Sequence, residues 1–208
     1  MSRLAVITCG PAFAPIDSVR RITNFATGEI GTLLAQELVA AGFQVVCFRG
    51  EGSTAPAPTG VDVRTFTTND SLAQALKNLP AEPAVIFQAA ALCDFEVAKI
   101  DGAEPCNKIS SRSEVLHLEL RPATKLLPTL RTMFPATKIV GWKYELDGTC
   151  DEAIAKARLQ LEECRTDACI LNGSAYGSGF GLVVPHKIEI RHFPDKQSLA
   201  RELAREVR

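Results

Sequence analysis

The stretch Asn24-Phe-Ala-Thr-Gly28-Glu-Ile-Gly31 is the first place in this 208-residue chain where residue types and spacing suggest chemistry. Glycine at the opening of a helix lets backbone N–H groups approach a phosphate with no Cβ in the way, and the helix N-terminus adds partial positive charge. With Gly10, which ends an apolar run, Gly28 and Gly31 predict a phosphate cradle at a strand-to-helix turn. Gly10 stands alone after that run, so the pattern is not G-x-G-x-x-G and an ordinary dinucleotide fingerprint is not supported. Close packing of helix on sheet is an equally good reason for Gly28 and Gly31.

A second candidate is Ala89-Ala90-Ala91-Leu92-Cys93-Asp94-Phe95, beyond a buried strand. Small side chains followed by a carboxylate form a wall and an acceptor at the strand end, where open α/β sheets bind ligands. An Asp that only shapes a turn has the same signature. A third is Asn107-Lys108-Ile-Ser110-Ser111, one lysine among small polar residues in a long loop. A flexible ammonium there can fold over a reacting phosphate and neutralise developing charge, although a lone loop lysine is ordinarily solvated. Lys143 follows an apolar run over 138–142, and Asn172 follows another over 168–171. Each is weak alone, and their repeated placement at strand carboxyl ends is the stronger argument. His117, His186 and His192 have no partner at catalytic or ligand spacing, and neither a Gly-x-Ser-x-Gly elbow nor a Walker A motif occurs.

These residues need a scaffold that gathers strand ends. Apolar runs at 4–9, 44–48 and 84–88 read as strands buried on both faces, and 28–42 carries helical spacing that should stop at Gly42. A short strand over 61–66, a helix capped by Asn69-Asp70-Ser71, a strand at 115–120 and a helix over 125–133 continue the alternation. A helix over 151–164 opened by an acidic cap, a hairpin of 181–184 with 187–191 around Pro185-His186, and a charged helix over 195–207 complete it. Between 92 and 112 the periodicity disappears, which predicts a loop long enough to be functional. The fold expected is one α/β domain over 1–208, a doubly wound, mainly parallel, Rossmann-like sheet with a long loop or arm.

Composition narrows the function. With 23 basic and 24 acidic residues the net charge is -1, so no global field would hold a nucleic acid or an anionic membrane. No run approaches the roughly 18 apolar residues of a bilayer span. Seven cysteines without a C-x-x-C pair predict reduced thiols in a cytoplasmic protein and no zinc site.

The same segments resemble the phosphopantothenate–cysteine ligase (phosphopantothenoylcysteine synthetase) family along nearly the whole chain. Its opening pattern is similar to Cys9-Gly10, then Pro15-Ile16-Asp17-Ser18-Val19-Arg20, then Asn24 to Gly31. Its Ala-Ala-Ala-x-x-Asp-Phe looks like 89–95, its Lys-Ile-x-Ser-Ser like 108–111, and its Phe-Lys-x-Glu like Trp142-Lys143-Tyr144-Glu145. The family's Ala-Asn strand end is similar to Leu171-Asn172. Four positions differ: Pro11 and Ala12 stand in Gly10-Pro11-Ala12 for the last two residues of Gly-Gly-Thr, Ala26 for serine, and Trp142 for phenylalanine.

The resemblance implies a ligase that activates the carboxylate of 4'-phosphopantothenate with ATP or CTP and passes the acyl group to cysteine. By the same resemblance Gly10, Ala26, Gly28, Gly31, Trp142, Lys143 and Asn172 line the nucleotide. Asn24, Ala90, Ala91 and Asp94 hold phosphopantothenate, and Lys108 and Asn24 serve the reaction. It further implies Mg²⁺ with the triphosphate, no flavin, and a homodimer whose pocket takes Asn24 and Asp94 from different subunits. Two alternatives stay open. One is a nucleotide-binding homologue without ligase activity, motivated by Pro11, Ala12 and Ala26. The other is a nicotinamide-dependent reductase, disfavoured by the missing glycine pattern and by Phe48-Arg49 where an acidic residue would close the second strand.

Overall fold

The alternation of apolar runs and helical spacings is realised in a computed structural model that describes residues 3–104, 108–110 and 115–208. Its elements are β1 (Leu4–Cys9), β2 (Phe13–Pro15), β3 (Arg21–Thr23), α1 (Glu29–Ala40), β4 (Gln44–Gly50), β5 (Asp62–Phe66), α2 (Asn69–Lys77), β6 (Val85–Gln88), β7 (Phe95–Ile100), β8 (Leu118–Pro122), α3 (Leu127–Met133), β9 (Lys138–Tyr144), α4 (Cys150–Cys164), β10 (Ala168–Asn172), β11 (Phe180–Val183), β12 (Arg191–Phe193) and α5 (Lys196–Glu206).

Eight strands share one sheet in the order β12-β11-β10-β9-β6-β1-β4-β5. From β10 to β5 neighbouring strands are parallel, and β11 and β12 continue the sheet antiparallel. The chain starts in the middle at β1, winds outward to β5, then returns to β6 and winds the other way. The expected doubly wound sheet is therefore present, and its direction reverses between β1 and β6, where ligands of such sheets bind.

Both faces of β1 are covered, which is why its sequence is a continuous apolar run. Ala5, Ile7 and Cys9 pack with α1 and α5 residues such as Leu38 and Leu203, while Val6 joins Leu72, Leu76 and Leu130 on the other face. Phe48 and Phe87 are fully buried, each worth roughly 1.5–3 kcal/mol of apolar burial. Helix α1 stops where expected: Gly42 takes a left-handed conformation (φ 87°), and Phe43 N–H donates back to the Leu38 carbonyl at 3.0 Å.

Four segments depart from the sequence reading. The span 92–112 is not structureless, because β7 pairs antiparallel with β8 to form a two-stranded arm, and β8 begins at Leu118 rather than at 115. Most of β7 is at least partly exposed, so no apolar alternation marked it. The polar loop before α1 contains the hairpin β2–β3, three residue pairs long, held by Thr23 Oγ1 donating to the Ala12 carbonyl at 2.8 Å and Phe13 N–H to Thr67 at 2.9 Å. Helix α4 is capped by Thr149 in a capping box with Glu152, the acidic residues lying in its first turn instead of at the cap. In the C-terminal hairpin the second strand is Arg191–Phe193, so Lys187 and its neighbours belong to the connection, which His186 enters with φ 62°. Cys106, Asn107 and Ser111 lie outside the described residues. Among the described residues no helix is long and apolar enough to cross a membrane.

Candidate functional site at the sheet switch point

Gly10 ends β1 with φ 76°, and the chain then stays beside β6: Ala91 N–H donates to the Gly10 carbonyl and Ala12 N–H to the Ala91 carbonyl, both at 2.9 Å. These bonds carry the β1–β6 contact past the strand ends and set the floor of the crevice. Gly28 is the N-cap of α1 with φ 82° and makes no side-chain cap; Glu29 in the first turn donates its N–H to Thr27 Oγ1 at 3.3 Å and pairs through its carboxylate with Lys196 of α5. Gly31 has a different job. A Cβ there would collide with the Cys9 side chain, so Gly31 lets α1 settle onto β1. The sequence left cradle and packing open, and the structure divides them: Gly10 and Gly28 need left-handed backbone, while Gly31 is a packing glycine. Ala26, half-buried, precedes the mouth.

The segment after β4 covers one flank of that mouth. Thr54 and Ala55 N–H donate to the Thr27 carbonyl at 3.1 and 3.0 Å, and Arg49 donates to the carbonyls of Ser53 (3.1 Å) and Ala55. The Ser53 hydroxyl stands where a side chain on Gly10 or Gly28 would point. Arg49 Nη1 and Ser53 Oγ are both buried without a hydrogen-bond partner among the described residues. Approach to the α1 mouth is consequently left to the β6 and β9 side.

On that side, Asn24 Nδ2 donates to the carbonyls of Ala91 and Leu92, each at 3.1 Å, so Asn24 and the alanine wall meet within one chain. Ala90 N–H donates to the buried Thr8 hydroxyl at 3.3 Å, which fixes the wall's start. Asn69, read from sequence only as a cap, holds the wall's end: its side chain exchanges two hydrogen bonds with the Cys93 backbone at 2.8 and 3.0 Å. Asp94 is exposed, and its carboxylate has no partner among the described residues.

Beyond β9 and β10 a second cluster forms. Trp142 is half-buried against the α1/α5 core, with its indole N–H buried and unpartnered among the described residues. Lys143 pairs with Glu145 at 3.2 Å, and Lys156 of α4 pairs with the other carboxylate oxygen at 2.5 Å. Burial works to raise the Glu145 carboxyl, but the Lys156 and Lys143 ammonium groups outweigh it and hold it below the usual carboxylate range. Glu145 N–H donates to the Asn172 carbonyl at 2.9 Å, tying both strand ends together. Asn172, Lys143, Ala89 and Gly10 thus terminate four adjacent strands, spanning about 14 Å at the usual spacing.

Lys108 is exposed, and its ammonium has no partner among the described residues. Its neighbour is anchored, however: Ile109 N–H donates to Asp17 Oδ2 at 3.0 Å on the β2–β3 turn. Asp17 and Glu145 were visible in the sequence as motif letters without a role. A cleft of about 420 Å³ lies between α2 and α3, away from α1. A smaller one of about 170 Å³ is lined by Phe13, Asn69, Cys93, Glu96 and Thr124 beside the alanine wall.

A family model described as the DNA/pantothenate metabolism flavoprotein C-terminal domain matches residues 2–208. The chain is 29% identical over 186 residues to the coenzyme A biosynthesis bifunctional protein CoaBC of Thermococcus kodakarensis, covering 86% of this chain and 43% of that protein. It therefore spans less than half the length of this curated relative. Among solved structures, the DNA/pantothenate metabolism flavoprotein from Streptococcus pneumoniae superposes with a TM-score of 0.87 at 22% identity, over 99% of this chain and 98% of that one. A Cab2 mutant in complex with phosphopantothenate-cysteine gives a TM-score of 0.78 at 21% identity, over 99% and 85% of the two chains. At these identities the solved structures speak for the fold. With residues 2–208 covered by one family model, this chain belongs to the DNA/pantothenate metabolism flavoprotein C-terminal domain family.

Proposed function

We propose that this chain joins 4'-phosphopantothenate and cysteine through an acyl-nucleotidylate formed from ATP or CTP, as a cytoplasmic homodimer. The observation that carries the reading is the alignment of Gly10, Ala89, Lys143 and Asn172 on adjacent strand ends, with Asn24 clamped to the Ala91 wall. The relatives' names in coenzyme A biosynthesis support it. A carboxylate is a poor electrophile, so the substrate carboxylate oxygen attacks the α-phosphorus and pyrophosphate departs. The cysteine amine then attacks the acyl carbon, the nucleoside monophosphate leaves with the bonding electrons, and the amine gives up a proton.

Each residue has a task in that sequence. The α1 mouth and Lys143 neutralise phosphate charge, and Lys108 meets the charge that develops at the reacting centre. Asn24 spends both amide hydrogens on carbonyls, leaving Oδ1 to accept from the substrate. Asp94, with no cation paired to it among the described residues, suits a hydroxyl, amide or amine donor rather than a phosphate. Among the described residues no group of three or more His, Cys, Asp or Glu could hold a metal. Mg²⁺ is proposed to enter with the triphosphate as part of the substrate, since phosphate oxygens are ligands it ordinarily takes. Exposed Phe25 in the segment between β3 and α1 and Phe95 on the arm support a second copy covering them.

One observation favours a second reading, a nucleotide-binding homologue without turnover: Pro11 lacks an N–H, and Ala12 is fully buried with its N–H committed to Ala91. The segment folded over Gly10 and Gly28 counts against a nicotinamide dinucleotide, whose first ribose lies beyond β4 in sheets of this kind. Purified protein given phosphopantothenate, cysteine, Mg²⁺ and ATP or CTP should release pyrophosphate, and Lys108→Ala should slow the release about tenfold or more. Thermal stabilisation by nucleotide with no pyrophosphate would favour the homologue.

A further inference from the structure

We propose that Asp17 is a positioning residue that latches the Lys108 segment onto the β2–β3 hairpin, so that Lys108 is presented over the Asn24–Ala91 wall. The inference rests on the ligase reading for the role of Lys108 and on geometry for the latch itself.

The Asp17 carboxylate has no solvent-accessible side-chain surface and is filled on both oxygens. Oδ1 accepts from the N–H groups of Val19 and Arg20 at 2.8 and 2.7 Å, shaping the turn between β2 and β3. Oδ2 accepts from Arg20 Nη1 at 2.6 Å and from Ile109 N–H at 3.0 Å. The first oxygen is spent locally, while the second reaches 92 residues along the chain. A carboxylate offers about four acceptor sites and no donor, so four donors use it completely. An asparagine would aim its N–H₂ group either at the Ile109 amide and the Arg20 guanidinium or, flipped, at the Val19 and Arg20 amides, putting donor against donor in both orientations.

Position gives the latch its consequence. Ile109 is the residue next to Lys108. At its other end the hairpin leads into Asn24, which is bonded to Ala91 and Leu92. Three paired residues separate tip from base, about 10 Å along the strand. One short ribbon therefore carries the substrate clamp at its base and the catalytic loop at its tip. The Ile109 amide, burial working the other way, and then the Val19 and Arg20 contacts set the Asp17 carboxyl, which ends up lowered to about 2. The latch is charged at any physiological pH.

The test combines amide exchange with a double-mutant cycle on the full chain. In Asp17→Asn the Ile109 amide should exchange about tenfold faster or more while β1 and β6 amides keep their protection. Pyrophosphate release should slow about tenfold with Lys108 present and change less than about twofold in the Lys108→Ala background, because the aspartate acts through the lysine. Asp17→Glu, which keeps the charge and shifts its reach, should recover part of the rate. Unchanged Ile109 exchange, additive losses in the cycle, or loss of protection throughout the sheet would each overturn the latch. If the wild type releases no pyrophosphate while Asp17→Asn still frees the Ile109 amide, the ligase reading falls and the latch stands.

Discussion

The carboxyl edge of the central sheet and the two ribbons that project from it divide the candidate site by mechanical character. On the edge, Gly10, Trp142, Lys143 and Asn172 are positioned by strands with buried apolar residues on both faces. On the ribbons, Asn24, Asp94 and Lys108 rest on β2–β3 and β7–β8, which have little core of their own, with Phe25 exposed just past β3 and Phe95 exposed on β7. Two-stranded ribbons are marginal in water, so a few polar ties do there what packing does in the sheet. The edge half of the candidate site is thus preformed, and the ribbon half is adjustable.

Paired substitutions sharpen that contrast. Phe87→Ala, in the fully buried core of β6, should cost about 3–5 kcal/mol by urea unfolding. Phe95→Ala, at 54% exposure on the arm, should cost under about 0.5 kcal/mol in the single chain. Equal losses would mean that the arm belongs to the core.

A smaller effect probes the edge itself. Glu145 pairs with Lys143, so in the proposed reaction it would both orient the lysine and compete with phosphate for it. The lysine carries about 2 kcal/mol of rotamer entropy, whereas a partly exposed ion pair is worth under about 1 kcal/mol, so orientation wins. Glu145→Ala should therefore raise the triphosphate KM, by about fivefold, with kcat less affected, as read from pyrophosphate release against nucleotide concentration. A lowered KM would show that competition dominates.

The smallest effect concerns the hairpin latch. The Asp17 carboxyl is depressed to about 2 from an ordinary 3.8. Its stabilisation is then complete above the unfolded value and disappears as pH falls through the folded one. The stability difference between wild type and Asp17→Asn should stay flat from neutral pH to about 4 and narrow between about 4 and 2. Narrowing already near pH 6 would place the carboxylate outside its cluster of donors.

The same division explains what could be read from residues alone. Runs at 4–9 and 84–88 announced strands because burial on both faces demands unbroken apolar sequence, and Lys143 and Asn172 drew notice by following such runs. The hairpin 13–15 with 21–23 escaped because its three-residue strands are fixed by distant partners, Thr67 and Ala91, instead of by local pattern. Strand β7 escaped because its partner lies across the long loop. Asp17, Glu145 and Asn69 carry their roles through tertiary hydrogen bonds, which leave no periodic trace. Gly31 showed the converse limit, since a glycine spaced for a phosphate cradle proved to be a packing contact with Cys9.

The central claim is that the preformed edge drives attack of a carboxylate on the α-phosphorus before cysteine is needed. Protein mixed with phosphopantothenate, Mg²⁺ and ATP or CTP, without cysteine, should release about one pyrophosphate per active site in a burst, and added cysteine should restore turnover. Silence with both nucleotides, before and after cysteine, would contradict the account.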